Sequence, residues 1–371
     1  MNKMMMSVLF ASGNESKLNE LTLHRTTASL PFGGRYRLID FALSNMVNSG
    51  ITTIGLVTRS NYSSLMDHIR MGRDWDLNRK NSGIAVFPPF VLGSSREIYK
   101  GKIEALHTIL NFLTRAKEDY VVISNCNIAA NVNFSEILET HLETEADITV
   151  LCKEGKTTTS RRLVLNKDSN NIIRDMYISE SSSSDSKLIS LNAYIIQKEK
   201  LVELVKSAYA RGLVDFEKDI LFKIVDKGKI YAYEVEGYAS IIDDIKTYYG
   251  ESMKLLNPEV RNHLFNGYSK IYTKVKDSVP TTYLDNADVK NSLIADGCVI
   301  DGKVENSILF RNVTVEKGAV IKNSILMENC AVQKDASLQY AITDKDVTIS
   351  ENRKISGFIT YPIVIVKGKT V

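Results

Sequence analysis

The residues able to do chemistry are dispersed along this chain. Cys126, Cys152, Cys298 and Cys330 lie too far apart to form a CxxC redox pair or a zinc knuckle. Four free, buried thiols in a reducing compartment are expected. His68, His107, His141 and His263 have no ligand spacing, which favours helix faces over a metal site. Three stretches have the composition of ligand loops. Ser12-Gly13-Asn14-Glu15-Ser16-Lys17-Leu18 follows an apolar run and combines small residues with one cation. Pro31-Phe-Gly-Gly-Arg-Tyr-Arg37 carries two glycines and two arginines. Lys100 and Lys102 flank Gly101, where a phosphate would meet two cations, although solvated lysines are the plainer expectation. Trp75, the only tryptophan, is expected to pack rather than to stack on a ligand.

The elements that must position these loops follow from periodicity. The chain has 371 residues, 44% hydrophobic and 25% charged, the mix of a globular protein of two or three domains. A formal charge of +3 excludes a nucleic-acid binder working by bulk charge. No apolar run approaches the ~18 residues needed to span a bilayer. The apolar residues 4–11 read as a first buried strand rather than a signal peptide. Residues 7–11, 53–57, 120–124 and 148–152 read as buried strands, with 192–196 as another. Residues 37–49, 63–71, 103–113 and 134–143 have helical periodicity, as do 215–225 and 242–255. This alternation predicts an α/β sheet with right-handed crossovers. Such sheets bind ligands at the carboxyl ends of their strands, here the loops after Leu9, Val57 and Ile123. The Ser-rich stretch 179–186 reads as a solvated hairpin tip.

Residues 281–371 change character. Val289-Lys-Asn-Ser-Leu, Val304-Glu-Asn-Ser-Ile-Leu, Ile321-Lys-Asn-Ser-Ile-Leu and Leu338-Gln-Tyr-Ala-Ile align at spacings of 15, 17 and 17 residues. Aliphatic residues recur about every six within each. This predicts a hexapeptide parallel β-helix, three short strands per turn around an aliphatic core. Such prisms oligomerise through a face or an end. An acyltransferase on this scaffold is disfavoured, because no histidine follows His263.

The block Pro31-Phe-Gly-Gly-Arg-Tyr-Arg-Leu-Ile-Asp-Phe-Ala-Leu-Ser-Asn45, followed by Val47-Asn-Ser-Gly-Ile51, resembles the sugar-nucleotide pyrophosphorylases. The closest resemblance is to the ADP-glucose pyrophosphorylase (glucose-1-phosphate adenylyltransferase) family. Arg73-Asp-Trp-Asp-Leu77, Pro88-Pro89 and Tyr99-Lys-Gly101 resemble its nucleotide-side loops. The resemblance implies a nucleotidyltransferase-like (Rossmann-like), mostly parallel α/β domain over 1–255. A linker over 256–280 and a left-handed parallel β-helix over 281–371 would follow. It also implies the joining of a nucleoside triphosphate to a sugar 1-phosphate with release of pyrophosphate.

That chemistry needs glycines that let backbone N–H groups approach phosphates, an Arg at the reacting phosphoryl group, and two aspartates for Mg²⁺. A Glu-Lys pair grips the sugar phosphate. Against the family pattern Ala-Gly-Gly-x-Gly-Thr-Arg-Leu, this chain keeps only Gly13, with Lys17 in the Arg position. Asn127 stands at the first metal aspartate and Ile241 at the second. Ile178-Ser179 stands at the Glu-Lys pair, and Thr27 replaces a further Lys. Gly13 and Gly101 remain as vestigial nucleotide-binding positions. If each lost group is worth roughly 2–4 kcal/mol in the transition state, the combined deficit spans many decades of rate.

The resemblance therefore implies a non-catalytic, cytoplasmic regulatory subunit without metal or other cofactor. Its partner would be a catalytic paralogue, in a heterotetramer serving glycogen synthesis, and self-association is expected when that partner is absent. No nucleic-acid or membrane partner is expected. The alternative is an active adenylyltransferase with Mg²⁺ held by Asp243 or Asp244. Related enzymes bind sugar-phosphate effectors between their domains, and Arg25, Arg35 and Arg37 are the matching candidates, with Lys367 and Lys369 nearby. The plainer alternative for Arg25 and Arg37 is that they pair with acids at the domain seam.

Overall fold

The computed structural model describes residues 4–12, 15–59, 61–80, 82–89 and 99–371, with the side chains of Glu15 and Ser16 left aside. Met5–Phe10 (β1) is buried at every residue because it is the sheet's inner strand. Thr53–Val57 (β2) pairs parallel on one side, and Gly83–Phe87 (β3) lies parallel beyond it. Tyr120–Asn125 (β4) pairs parallel on the other side. A strand covered on both faces favours apolar residues throughout, and five of the six in β1 are apolar, Ser7 being the exception. The remaining strands are Ile148–Lys156 (β5), Arg162–Lys167 (β6), Ile173–Ser179 (β7), Ser186–Gln197 (β8) and Ile230–Glu234 (β9). The long strand β8 runs antiparallel to β4, β5 and β6, and β9 runs parallel to β5. The expected strand 192–196 is thus the end of a longer one. The Ser-rich stretch connects β7 to β8.

Helix Leu38–Asn48 (α1) begins where Asp40 Oδ2 accepts the Arg37 backbone N–H at 3.0 Å. It stops at Gly50, whose φ of +73° is the left-handed turn that glycine adopts cheaply. The Gly50 N–H then reaches the Val47 carbonyl, and the Ile51 N–H reaches Met46. Ser63–Ile69 (α2) follows. The expected helix 103–113 breaks at Ile109 into Lys102–Thr108 (α3) and Leu110–Arg115 (α4). Phe134–Glu143 (α5) and Lys198–Ala210 (α6) cover the sheet. The segment read as helix 215–225 contains a π-helical turn, Glu217–Leu221, ahead of Phe222–Val225. Ile245–Lys254 (α7) starts three residues later than expected because Asp244 caps it, accepting the Thr247 N–H at 2.6 Å. Within 256–280 the chain forms Pro258–Phe265 (α8), whose Phe265 ring stacks on Tyr36 at 4.8 Å.

The C-terminal region winds through three parallel sheets of five strands, the arrangement of a left-handed β-helix. The repeated Asn-Ser step has a physical cause. Asn291, Asn306 and Asn323 turn the corner with φ of +42°, +47° and +47°, a region Asn tolerates better than most residues. The following serines form a ladder. Ser307 Oγ donates to the Glu305 carbonyl at 2.7 Å and accepts the Ser324 N–H at 3.1 Å. Ser324 repeats this with Lys322 and Ala341. A fifth rung, Lys354–Ser356, lacks the Asn-Ser step yet keeps register, Ile355 pairing with Leu338.

The two regions share a core. In the third sheet, Leu309 and Leu326 face the β-helix interior. Ile308, Ile325 and Ile342 instead pack with Phe41, Tyr248 and Leu255 of the first domain and with Leu264 of α8. A sheet buried on both faces needs consecutive aliphatics, which explains the Ile-Leu pairs. Tyr249 Oη closes the seam by donating to the Asn323 carbonyl at 2.6 Å.

Candidate functional site

A cavity of about 300 Å³ opens at the carboxyl ends of β1, β2 and β4, lined by Phe10, Ser12, Val57, Arg59, Asn125 and Asn127 among others. Its position is the one the strand order dictates. Two short strands, Ile128–Ala130 and Ala239–Ile241, pair antiparallel beside it, with Ile241 opposite Ile128. The Ile242 N–H donates to the Asn127 carbonyl at 2.8 Å, and Asn127 Nδ2 donates back to the Ile242 carbonyl at 3.1 Å. Asn127 and Ile241, 114 positions apart in the chain, are therefore neighbours on the cavity wall.

The fit to Mg²⁺ can be tested on these donors. Mg²⁺ demands hard oxygen ligands, usually carboxylates. Asn127 offers one amide oxygen, and Ile241 offers none. Asp243, 2% exposed, is gripped by both terminal nitrogens of Arg162, one pair at 2.9 Å. Asp244 caps α7 and accepts from Ser160 Oγ at 2.8 Å. Among the described residues no group of three or more His, Cys, Asp or Glu is placed to hold a metal. The residues present do not fit the ion.

The cavity also holds groups that spacing did not single out. Lys102 Nζ lies 2.6 Å from Glu217 Oε1. Lys102 further lies over the rings of Phe10 and Tyr194, at 5.8 and 5.7 Å. It is thus a paired cation in the wall, where a solvated lysine was expected. Burial would raise the Glu217 carboxyl, but the Lys102 charge and hydrogen bond, helped by Arg161, hold it at about 2. Tyr194 Oη donates to the same carboxylate oxygen at 3.3 Å. Arg161 pairs with Asp215 at 2.7 Å. Among the described residues, three buried polar atoms on this wall have no hydrogen-bond partner: Ser12 Oγ, Asn125 Oδ1 and Asn127 Oδ1. The sequence signal for Lys102 was its place beside Gly101. Glu217 sits in a stretch that read only as helix.

The other sequence candidates scatter. Lys17 is exposed and donates to the Thr159 carbonyl at 2.7 Å, outside the cavity lining. Ser179 ends β7 and contacts Ser181, while its neighbour Ile178 lines the cavity. Gly101 lines it too, and a Cβ there would lie 2.1 Å from the Val214 carbonyl oxygen. Gly13 lies outside the described residues. Trp75 is 2% exposed, donating to Ser44 Oγ at 3.3 Å.

The three arginines take different roles at the seam. Arg25 is buried, with both Asp344 oxygens within 3.0 Å, and so ties the first domain to the β-helix. Arg37 donates to the Ser64 carbonyl at 2.7 Å. Arg35 is exposed, over the Tyr36 ring at 5.6 Å. Nearby, Glu328 receives Lys276, Lys345 and Arg311 at 2.9, 2.6 and 3.3 Å. Burial would raise its carboxyl, yet these cations hold it at about 2. Lys367 lies on the C-terminal coil, 3.7 Å from Asp346.

The nucleotidyl transferase family matches residues 6–246, and the GlmU-like C-terminal hexapeptide family matches residues 278–357. The glycogen biosynthesis protein GlgD of Bacillus subtilis (strain 168) is 37% identical over 367 residues, 99% of this chain and 97% of that protein. Glucose-1-phosphate adenylyltransferases of Bacillus mycoides (strain KBAB4) and Bacillus anthracis are each 33% identical over 318 residues, 85% of either chain. With the cavity at the strand ends, the β-helix behind it and this similarity over nearly its whole length, the chain belongs to the glucose-1-phosphate adenylyltransferase (ADP-glucose pyrophosphorylase) family.

Proposed function

We propose that this protein acts in glycogen biosynthesis as a regulatory subunit, inactive or nearly so, that hetero-oligomerises with a catalytic paralogue. That paralogue would convert ATP and glucose 1-phosphate to ADP-glucose and pyrophosphate. The observation that carries the reading is that Asn127 and Ile241 both line the cavity wall, where the family chemistry asks for two carboxylates. The alternative, Mg²⁺ held by Asp243 or Asp244, is opposed by the Arg162 and helix-cap contacts that already occupy both. The full-length similarity to a protein named for glycogen biosynthesis supports the process.

Activation would arise if binding favours the partner's more active conformer, a coupling of typically about 1–3 kcal/mol. A sugar-phosphate effector at the seam would meet Arg35 exposed, whereas Arg25 and Arg37 already have partners. Four buried free thiols suit a reducing cytoplasm. Among the described residues no helix is long and apolar enough to cross a membrane.

The deciding experiment is an ADP-glucose synthesis assay on three samples: this chain, the catalytic paralogue, and the two co-purified. Silence from this chain with increased activity in the mixture is the expected result. Mg²⁺-dependent turnover by this chain alone would overturn the reading.

A further inference from the structure

The segment from Leu213 to Ile220 serves two hollows. Val214, Asp215, Phe216 and Glu217 line the cavity at the strand ends. Leu213, Asp219 and Ile220 line a separate groove of about 330 Å³ against α6. That volume stands at the lower end of the ~300–1,000 Å³ typical of small-ligand sites. Its floor is aliphatic, formed by Leu204, Ala208, Leu213, Ile220 and Ile224, and is continuous with the core beneath the sheet.

The rim is held by backbone. Helix α6 ends in a left-handed turn at Gly212, φ +70°, with the Leu213 N–H on the Ala208 carbonyl at 3.1 Å. That turn sets Arg211 at the rim. The loop carrying Lys227 is tied down two residues later. The Lys229 N–H donates to Asp147 Oδ2 at 2.8 Å, and the Asp147 N–H donates to the Lys229 carbonyl at 2.8 Å.

Charge selects the occupant. The lining carries four cations, Lys200, Arg211, Lys223 and Lys227, against two carboxylates, Asp147 and Asp219. Lys200 is spent on Asp147. Asp219 accepts the Val214 and Asp215 N–H groups at 3.1 and 3.0 Å. Among the described residues, the side chains of Arg211, Lys223 and Lys227 make no ion pair or hydrogen bond. The first cavity differs, since its Lys102 and Arg161 are already paired with Glu217 and Asp215.

We propose that this groove binds a small phosphate monoester whose organic part is apolar. The surplus of two positive charges matches a phosphate dianion, and the planar Arg211 fork can grip two of its oxygens. The floor sets the other half of the ligand. A sugar would lay hydroxyls on aliphatic side chains that offer them no partner, whereas an aromatic or aliphatic body buries apolar surface there. Such a ligand would join α6 to the π-helical turn. It would thereby brace the wall shared with the cavity, because Asp219 holds the N–H of Asp215, whose carboxylate pairs with Arg161. The groove is separate from the domain seam, and the proposal does not depend on whether the chain is catalytic.

The test is isothermal titration calorimetry of the full chain with phenyl phosphate. Saturable binding at one site is expected. Inorganic phosphate lacks the apolar body, phenol lacks the charge, and glucose 6-phosphate has a polar body; each should bind more weakly by roughly tenfold or more. Arg211→Gln with Lys223→Gln should weaken phenyl phosphate by roughly tenfold or more. Circular dichroism should be unchanged, since both side chains are exposed. Hydrogen exchange in the presence of phenyl phosphate should slow over residues 204–213 and 219–228. Arg35→Gln, at the seam, should leave the affinity as in wild type. No binding, equal binding of inorganic phosphate or glucose 6-phosphate, or a double variant that binds like wild type overturns the proposal. So does a loss of binding in Arg35→Gln, or protection confined to the seam, because either would put the anion between the domains.

Discussion

Lys102 and Glu217, 115 residues apart, meet at 2.6 Å on the wall of the cavity. The lysine side chain is 18% exposed and the glutamate 9%. The pair binds the start of α3 to the π-helical turn and sets opposite charges within the lining. Breaking one member of a buried pair typically costs about 3–5 kcal/mol. Lys102→Thr is expected near that range, because it strands a carboxylate against Tyr194. Glu217→Gln should cost less, since the longer lysine retains a path to water. The double variant should be less destabilised than the sum, by a kilocalorie or more (~1–3 kcal/mol). Urea unfolding of the four proteins measures the cycle.

The same pair sets an acid dependence. The Glu217 carboxyl is lowered from 4.5 to about 2 in the folded protein. Its stabilising contribution is therefore fully present above the unfolded value of 4.5 and lost as pH falls through about 2. The stability gap between wild type and Glu217→Gln should be constant from pH 7 to 5 and shrink progressively below that. A gap that widens on acidification would contradict the assignment.

Arg25 and Asp344 join the domains through a buried bidentate contact. Arg25→Ala leaves the Asp344 carboxylate without that partner and should cost about 3–5 kcal/mol. The loss is expected to uncouple the first domain from the β-helix, splitting one calorimetric transition into two. Scanning calorimetry of wild type and variant checks this.

In the β-helix, Ser324→Ala removes the acceptor of the Ala341 N–H and a donor to the Lys322 carbonyl. An orphaned buried N–H costs about 1–3 kcal/mol. Hydrogen exchange should show faster opening at the rungs around 322–341, with the sheet of the first domain unchanged.

The cavity wall permits a gain-of-binding test. Asn127→Asp with Ile241→Asp places two carboxylates on neighbouring backbone positions. Without metal, the like charges should lower the melting temperature. Mn²⁺ should restore part of it by linkage, while leaving wild type unmoved. A variant indifferent to Mn²⁺ would show that these positions do not converge on one ion.

Local pattern determined much of this protein. The 17-residue period, the aliphatic columns and the Asn-Ser steps specify the β-helix, because the first three rungs repeat the same corner and the same serine hydrogen bond. The apolar character of β1, broken only by Ser7, marks an inner strand, and the strand order then locates the cavity. The fifth rung escaped because Lys354–Ser356 keeps one aliphatic residue, Ile355, and is followed by Gly357-Phe358 in place of the repeated pattern. The break at Ile109 and the π-helical turn at Glu217 escaped because apolar spacing is insensitive to one displaced residue.

Tertiary structure alone decided the charges. Lys102 with Glu217, Arg162 with Asp243 and Arg25 with Asp344 are separated by 115, 81 and 319 residues. No spacing links them, since each pair exists only where strand ends or domain faces converge. That convergence turned Lys102 from an expected solvated lysine into a paired cation, and set Asp243 against Arg162 and Asp244 at the cap of α7. Residue types limit which partners a charge can accept, but the fold brings one of them within reach before water can compete.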